Sequence, residues 1–206
     1  MNLWFSSLLL VVGLFLSSSA QSVEECRPLV TPLPTFEPRF GKWTFIMGYI
    51  NSEPFKKLFR TTLSQWIDFR RTSPDDRELI EDIGIRHTTH CKYGSSPFTV
   101  VRNFAVTDKS GFSCTFHSLP TCKSCLVYTV NSRNTNELLH IMNITTPKSI
   151  DEVKDYRALY LMSKRSTVCD DELERFKEQA RCLGFTGEPD FEYDPKHSFC
   201  NKTIDN

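Results

Sequence analysis

The sequence lacks several features that would assign a function at once. Acidic and basic residues balance, with 25 of each, so the composition suggests neither a nucleic acid nor an acidic membrane as a partner. No Ser–His–Asp or Cys–His arrangement stands in a recognisable context, so we predict no enzyme. Internal repeats, low-complexity segments and linkers are also absent, which indicates a single domain over residues 21–206.

The N-terminus carries a short apolar run. The residues from Leu8 to Leu16 are apolar or glycine, and Ser17 to Ala20 are small. Such a run is typical of a secretory signal peptide, here residues 1–20, with cleavage after Ala20. Neither Lys nor Arg precedes it, and an uncleaved membrane anchor is the alternative, although the run is short for ~30 Å of hydrocarbon. We therefore expect a secreted, extracellular protein.

Eight cysteines follow this leader, and their even number indicates disulfides formed in an oxidising compartment. Asn143-Ile-Thr and Asn201-Lys-Thr are candidate glycosylation sites that agree with secretion. Cys122-Lys-Ser-Cys125 has redox spacing, but it lies in a predicted hairpin turn and not at a helix N-terminus beside a βαβ unit. A second ligand pair at zinc-finger spacing is missing, so we predict no metal and no cofactor.

The rest of the chain is a series of short β-prone segments, separated by turn signals such as Asp108-Lys-Ser-Gly and Thr146-Pro. Eight strands at this spacing favour an antiparallel meander, either a barrel or a sandwich. An amphipathic helix over Asp170–Leu183 follows them. The predicted strands are Trp43–Ile50, Leu63–Phe69, Leu79–His87, Phe98–Thr107, Phe112–Leu119, Leu126–Asn131, Leu138–Thr145 and Ala158–Lys164.

Gly41-Lys42-Trp43, at the start of the first predicted strand, resembles the Gly-x-Trp motif of the lipocalin family. In that family a basic residue after the eighth strand packs over the tryptophan, and Arg165 (or Lys164) stands at that position. The resemblance implies an all-β fold, an eight-stranded antiparallel up-and-down β-barrel with one C-terminal α-helix packed on the outside. Gly41, Trp43 and Arg165 would then have structural roles.

Within the family, the chain resembles the alpha-1-acid glycoprotein (orosomucoid) branch, with apolipoprotein M and the fish saxitoxin- and tetrodotoxin-binding proteins nearby. The resemblance rests on Cys26-Arg-Pro-Leu-Val with the Gly41 motif, on His90-Cys91-Lys-Tyr, and on the helix that ends at Cys182-Leu. The Thr-Asp-Tyr motif of the broader family is absent. The branch pattern implies two disulfides, Cys26–Cys182 and Cys91–Cys200.

Four cysteines remain, and the barrel topology suggests partners for them. Cys114, at the start of the fifth predicted strand, and Cys169, before the helix, would both lie at the closed end, where the first strand begins. Cys122 and Cys125 would share a turn at the opposite, open end. We expect the pairs Cys114–Cys169 and Cys122–Cys125, with Cys114–Cys125 as the rival.

Side chains alternate between the inside and the outside of a barrel strand, which predicts its lining. Asn143 must face outward if it is glycosylated, and Cys114 must face outward if it bonds to the helix. The residues next to each of them on the same strand would then face inward. The predicted ligand-binding residues are Phe45, Met47, Tyr49, Val100, Arg102, Phe104, Thr115, His117, His140, Met142 and Tyr160.

Arg102 is the most informative of these residues, because a buried guanidinium needs an acidic or strongly accepting partner. That partner is a ligand's carboxylate or phosphate, or an internal acid such as Asp82; alternatively, a register error leaves Arg102 exposed. We interpret His117 and His140 as lining or hydrogen-bonding residues and not as catalysts. A cationic ligand is not expected, since the predicted lining offers Arg and His instead of carboxylates.

These features favour an extracellular carrier that binds one small hydrophobic or amphipathic molecule, including an anionic one, without changing it. The alternative is a secreted immunomodulatory or inhibitory protein that acts through surface contacts while its barrel stays filled. We expect a monomer that does not insert stably into a membrane. Association with a lipoprotein or a receptor is compatible with this expectation.

Overall fold

The computed structural model describes residues 23–201 except for 38, 73, 75–76, 110–111 and 134–154. The predicted signal peptide lies outside these residues. So does the predicted strand Leu138–Thr145, with His140, Met142 and the sequon at Asn143.

The described residues form nine strands and three helices. No described helix combines the length and the apolar character that a membrane crossing requires. In chain order the elements are α1 (Val23–Val30), β1 (Gly41–Ile50), α2 (Glu53–Arg60), β2 (Thr62–Arg71), β3 (Glu78–His87), β4 (Cys91–Val101), β5 (Phe104–Lys109), β6 (Phe112–Leu119), β7 (Cys125–Arg133), β8 (Asp155–Ser163), α3 (Asp170–Cys182) and β9 (Phe191–Glu192).

The strands close into a barrel. Each strand from β2 to β8 pairs antiparallel with the next, and β1 pairs with both β2 and β8. Closure leaves the first eight strands without the unpaired edges that invite aggregation. Helix α3 packs on the outside, where the Phe176 ring lies 5.9 Å from that of Tyr49. The predicted eight-stranded antiparallel barrel with a C-terminal helix is confirmed.

The eight strands are not the eight predicted segments. The predicted strand Phe98–Thr107 is a hairpin, because β4 and β5 meet at a turn in which Arg102 has a φ of 55°. β7 pairs directly with β8 from Cys125–Ser163 to Arg133–Asp155, whereas the predicted strand Leu138–Thr145 lies outside the described residues. A turn with a non-glycine residue at positive φ carries no Gly or Pro signal, so the apolar run across it suggests one continuous strand.

A tryptophan closes the end of the barrel where β1 begins, here called the closed end. Trp43 is buried, and its Nε1 donates a hydrogen bond to the Arg39 carbonyl at 2.8 Å. Lys164 Nζ lies 4.1 Å from the centre of the ring and donates to the Phe40 carbonyl at 2.7 Å. The basic residue over the tryptophan is therefore Lys164, and the role predicted for Arg165, which is exposed, is corrected.

The C-terminal segment completes the wall at the opposite end of the barrel, here called the mouth. β1 pairs with β2 only over Gly41–Thr44, and further along the same edge it pairs with β9. Trp66 Nε1 on β2 donates to the Cys200 carbonyl at 2.9 Å. Residues 190–201 thus run between β1 and β2, where the two strands separate.

Three disulfides hold these pieces together: Cys26–Cys182, Cys91–Cys200 and Cys122–Cys125. The first two are the pairs that the family resemblance implied. The expected Cys114–Cys169 bond is wrong, since both thiols are free. The hairpin at Arg102 reverses the chain once more than predicted, which puts Cys114 at the mouth. Cys169, at the start of α3, stays at the closed end, and the Cys122–Cys125 turn, predicted at the open end, lies at the closed end as well.

Candidate functional site

A β-bulge decides which side chains of β1 face the interior. Phe45 pairs with Met162 and Met47 with Leu161, so Ile46 is the extra residue. The Phe45 ring points inward, 5.1 Å from that of Tyr160. Beyond the bulge the alternation is shifted by one residue, and Met47 and Tyr49 face outward. The inward orientation predicted for these two residues is therefore corrected.

The orientation of β6 is also the reverse of the predicted one. Cys114 points inward, where it is buried and its Sγ donates to Ser132 Oγ at 3.1 Å. Because neighbouring side chains alternate, Thr115 and His117 face outward. Phe104 on β5 pairs with His117 and faces the same way, with 5.7 Å between the rings. The prediction failed here because it assumed that Cys114 was bonded to the helix.

Arg102 does not enter the barrel. It is exposed, in the turn between β4 and β5, whereas Val100 packs against the buried Leu79, Phe98 and Ala105. The rival partner, Asp82, faces outward and pairs with Arg70, with 2.6 Å between Oδ2 and Nε. The described part of the interior therefore contains no guanidinium.

Helix α2, which the sequence did not predict, covers the mouth. Phe55 and Phe59 are one helical turn apart, both are buried, and Lys56, Lys57 and Arg60 occupy other faces. The Phe59 ring lies 5.6 Å from that of Phe45, and the Phe55 ring lies 4.6 Å from that of Tyr156. The i, i+4 spacing of the two phenylalanines after Pro54 was the available signal.

With these rings inside, little free space remains. The interior cavity has a volume of about 20 Å³, enough for one water molecule. It lies toward the closed end, and its walls are mainly aromatic and aliphatic. The lining residues are Phe36, Phe69, Leu79, Glu81, Phe98, Ala105, Phe116, Leu126 and Tyr128.

Glu81 is the one ionisable acid or base in this lining. The described residues form no hydrogen bond or ion pair with its carboxyl. Burial, and secondarily the negative charge of Asp82, raise the pKa of Glu81 to about 8. At pH 7 the carboxyl is therefore mostly protonated and can donate a hydrogen bond. The alternation of Leu79, Glu81 and Ile83 along β3 could have indicated this inward position.

Neutral polar groups also face the interior, from Tyr128 toward the closed end to Cys114 and Tyr156 nearer the mouth. The hydroxyl of Tyr128 contacts Met162 Sδ at 3.8 Å, and burial raises the pKa of Tyr128 and of Tyr156 well above the usual value. Burial likewise raises the pKa of the Cys114 thiol, which disfavours the reactive thiolate. These groups can exchange hydrogen bonds with a ligand without adding charge.

Comparisons with models of protein families and with curated proteins give no match. Solved structures do match. Lipocalin 12 from rat epididymis is 11% identical, with a TM-score of 0.61 over 84% of this chain and 93% of that one. The siderocalin Ex-FABP is 14% identical, with a TM-score of 0.55 over 71% and 87%, and a dog lipocalin allergen is 15% identical, with a TM-score of 0.51 over 72% and 88%. At these identities the likeness concerns architecture alone, and the chain has the lipocalin fold.

Proposed function

We propose that this protein is an extracellular carrier that binds one small, largely apolar molecule inside its barrel and does not change it chemically. The observation that carries the proposal is the lining: a closed barrel with aromatic walls and a single carboxyl, Glu81, that no described residue pairs. An apolar cavity with few polar groups is the usual form of a small-molecule site. A half-buried carboxyl that no described residue pairs costs stability, which makes a role in binding a reason for its presence.

The interior favours a neutral or basic ligand. The expectation of an anionic ligand depended on Arg102, which lies at the surface. Glu81 can donate a hydrogen bond to a neutral ligand when protonated, and it can pair with a cationic one when ionised. The ring faces of Phe116 and Tyr128 would add to the attraction for a cation.

A ligand larger than one water needs helix α2 to move. Phe55 and Phe59 fill the mouth, and an ion pair at 3.3 Å between Lys56 and Asp190 links the helix to the C-terminal segment. The helix starts without a side-chain cap, and the buried hydroxyl of Ser52 makes no hydrogen bond with the described residues. We infer that α2 is a lid, which withdraws its two phenylalanines when a ligand enters.

The extracellular location rests on independent features of the chain. Three disulfides are typical of an oxidising compartment, as is the proposed leader over residues 1–20. Asn201 is exposed and accessible to a glycan. The two long-range disulfides also support the proposed relationship to the alpha-1-acid glycoprotein branch.

A second candidate follows from the small free volume. A barrel that stays filled would leave the protein to act through its surface, as an immunomodulatory or inhibitory factor. The cavity of about 20 Å³ favours this candidate, provided that α2 does not open.

Titration with the neutral fluorescent probe N-phenyl-1-naphthylamine distinguishes the two functions. A carrier should bind it with one-to-one stoichiometry and enhance its fluorescence. Phe59→Ala, which removes part of the plug, should raise the affinity roughly tenfold by lowering the cost of opening. Phe104→Ala, an outward-facing phenylalanine, is the matched control and should change nothing. Binding by Phe59→Ala but not by the wild type would instead favour the filled barrel.

A further inference from the structure

A second pocket lies outside the barrel. It is a groove of about 200 Å³ on the outer face of β6, β7 and β8. Leu119 contributes to its floor. Val30 at the end of α1 and Pro32 after it line one side, and Leu183 and Phe185 after α3 line the other. The groove therefore has ten times the volume of the interior cavity.

Covalent and hydrogen bonds fix the two sides of this groove. The Cys26–Cys182 disulfide joins α1 to the end of α3. From α3, the amide of Gln179 donates hydrogen bonds of 2.9 Å to the carbonyls of Leu29 and Pro120. Because Gln179 is fully buried, these bonds are shielded from water. The groove is thus a preformed feature of the surface.

Polar side chains line the groove beside these apolar walls, and the described part of the chain offers them no negative partner. Arg157 donates one hydrogen bond of 2.8 Å to the Leu183 carbonyl, and its guanidinium lies 5.6 Å from the centre of the Phe185 ring. No described carboxylate pairs with Arg157, and no lining residue is acidic. His117 also lines the groove, and burial lowers its pKa, so it is neutral at pH 7. Both side chains retain hydrogen-bonding groups for an anion.

We propose that this groove is a second binding site, which takes a small amphipathic carboxylate. The carboxylate would pair with Arg157, whose planar guanidinium can bind both oxygens at once. The apolar body would lie on Leu119, Val30 and Phe185. A single cation among apolar walls suits one negative charge on a short chain. This site is independent of the ligand proposed for the interior.

Titration with octanoate, followed by NMR or calorimetry, tests the site. Arg157→Gln should weaken octanoate about 10- to 100-fold, the effect of losing a charge-assisted hydrogen bond. Arg133→Gln, an exposed arginine on β7 outside the groove, is the matched control and should have no effect. Binding of 1-octanol, which lacks the charge, should not change in either variant. Since glutamine can still donate to the Leu183 carbonyl, the fold should be retained.

Two further measurements separate this groove from the interior. Thr129→Trp places an indole in the groove without altering any charge and should abolish octanoate binding. Octanoate should not displace N-phenyl-1-naphthylamine from the wild type. The proposal is overturned if the wild type does not bind octanoate, or if Arg157→Gln binds it as tightly as the wild type. Displacement of the probe together with full binding by Thr129→Trp would also overturn it, by moving octanoate to the interior. Failure of the probe to bind would count only against the interior site.

Discussion

The same three strands, β6 to β8, form one wall of two very different spaces. Their inward side chains, such as Phe116 and Tyr128, line the small interior cavity, whose carboxyl no described residue pairs. Outward side chains such as His117 and Arg157 line the larger groove, where the charged group is a guanidinium. The alternation of side chains along a β-strand therefore lets one wall present aromatic rings to the interior and a guanidinium to the groove.

The difference between the two spaces lies in their access to solvent. Inside, the enclosing aromatic rings disfavour the ionised form of Glu81 and raise its pKa to about 8. Outside, Arg157 is exposed, so water solvates its charge at little cost in stability. We therefore expect the charge of the interior to depend on pH near neutrality, and that of the groove to remain constant.

Removal of the Cys26–Cys182 disulfide should have the largest effect. The bond spans 156 residues, and the chain-entropy argument gives it about 5 kcal/mol, against about 2 kcal/mol for Cys122–Cys125, which spans 3. Replacing both Cys26 and Cys182 by Ser should lower the free energy of unfolding accordingly, as measured in urea. Because this bond joins the two sides of the groove, octanoate binding should be lost while the interior probe still binds.

The matched control replaces Cys122 and Cys125 by Ser. It should retain octanoate binding, since this short loop lies away from the groove. Equal losses of octanoate affinity in the two variants would show that the bond between α1 and α3 does not shape the site.

Glu81→Gln should have the next largest effect on the free energy of unfolding, and only above about pH 4.5. Below about pH 4.5 the carboxyl is protonated in the folded and the unfolded protein, so the variant and the wild type should be equally stable. As the pH rises toward 8, the unfolded carboxyl ionises while the folded one stays protonated, and the wild type loses stability. At pH 8 we expect Glu81→Gln to be more stable on the order of 3 kcal/mol, measured by urea unfolding across pH.

Glu78→Gln provides the comparison for this pH series. Glu78 lies on the same strand but is exposed, so its replacement should change the free energy of unfolding by at most about 0.5 kcal/mol. If Glu81→Gln gives the same flat difference, the carboxyl of Glu81 is solvated and the interior has no special electrostatic character.

The sequence was sufficient for the architecture because its signals there are redundant. Turn residues and apolar segments indicated a barrel or a sandwich, and the Gly41 motif favoured the closed barrel that the strands form. The Gly41 motif also has a physical basis. Gly41 has a φ of 86°, and a Cβ there would lie 3.2 Å from Lys164 Nζ. Turns, strands and a glycine at positive φ depend on the residue types at single positions, which can be read from the sequence alone.

The site could not be predicted as well, because it depends on single-residue shifts. The bulge at Ile46 and the turn at Arg102 contain no Gly or Pro. The bulge nevertheless reverses which residues of β1 face the interior beyond it, and the turn reverses the direction of the chain. One misplaced turn also put Cys114 at the wrong end of the barrel, and the faces inferred from it were then reversed. Glu81 is the exception, since its alternation with Leu79 and Ile83 along β3 indicated an inward position that the predicted lining did not use.

The two free thiols give a direct chemical comparison of the inside and the outside. Cys169 is exposed at the start of α3, whereas Cys114 is buried on the inner face of β6, where burial raises its thiol pKa. A disulfide-exchange reagent such as dithiobis(nitrobenzoate) should therefore modify Cys114 roughly a hundredfold more slowly than Cys169. Mass spectrometry of the modified peptides would assign the two rates.

Two outcomes would contradict this arrangement. A Cys114–Cys169 disulfide would leave no thiol to react, and its detection would restore the expectation drawn from the sequence. Comparable rates at both residues would mean that the interior opens readily, as it would if α2 left the mouth much of the time.

Lys164→Met should have the smallest effect, and it concerns the floor of the interior. The ammonium of Lys164 lies over Trp43 and donates to backbone carbonyls on either side of Gly41, contacts worth about 1 kcal/mol together at a partly exposed site. Urea unfolding should show a loss of that size, whereas Arg165→Met should lie within about 0.5 kcal/mol of the wild type. Neither change should alter octanoate binding, because the groove does not include these residues. If Arg165→Met lost more stability than Lys164→Met, the packing over Trp43 would belong to Arg165, the first of the two residues that the family resemblance implied. A loss of octanoate affinity in Lys164→Met would mean that the floor and the outer groove are mechanically linked, and that the two spaces are not independent.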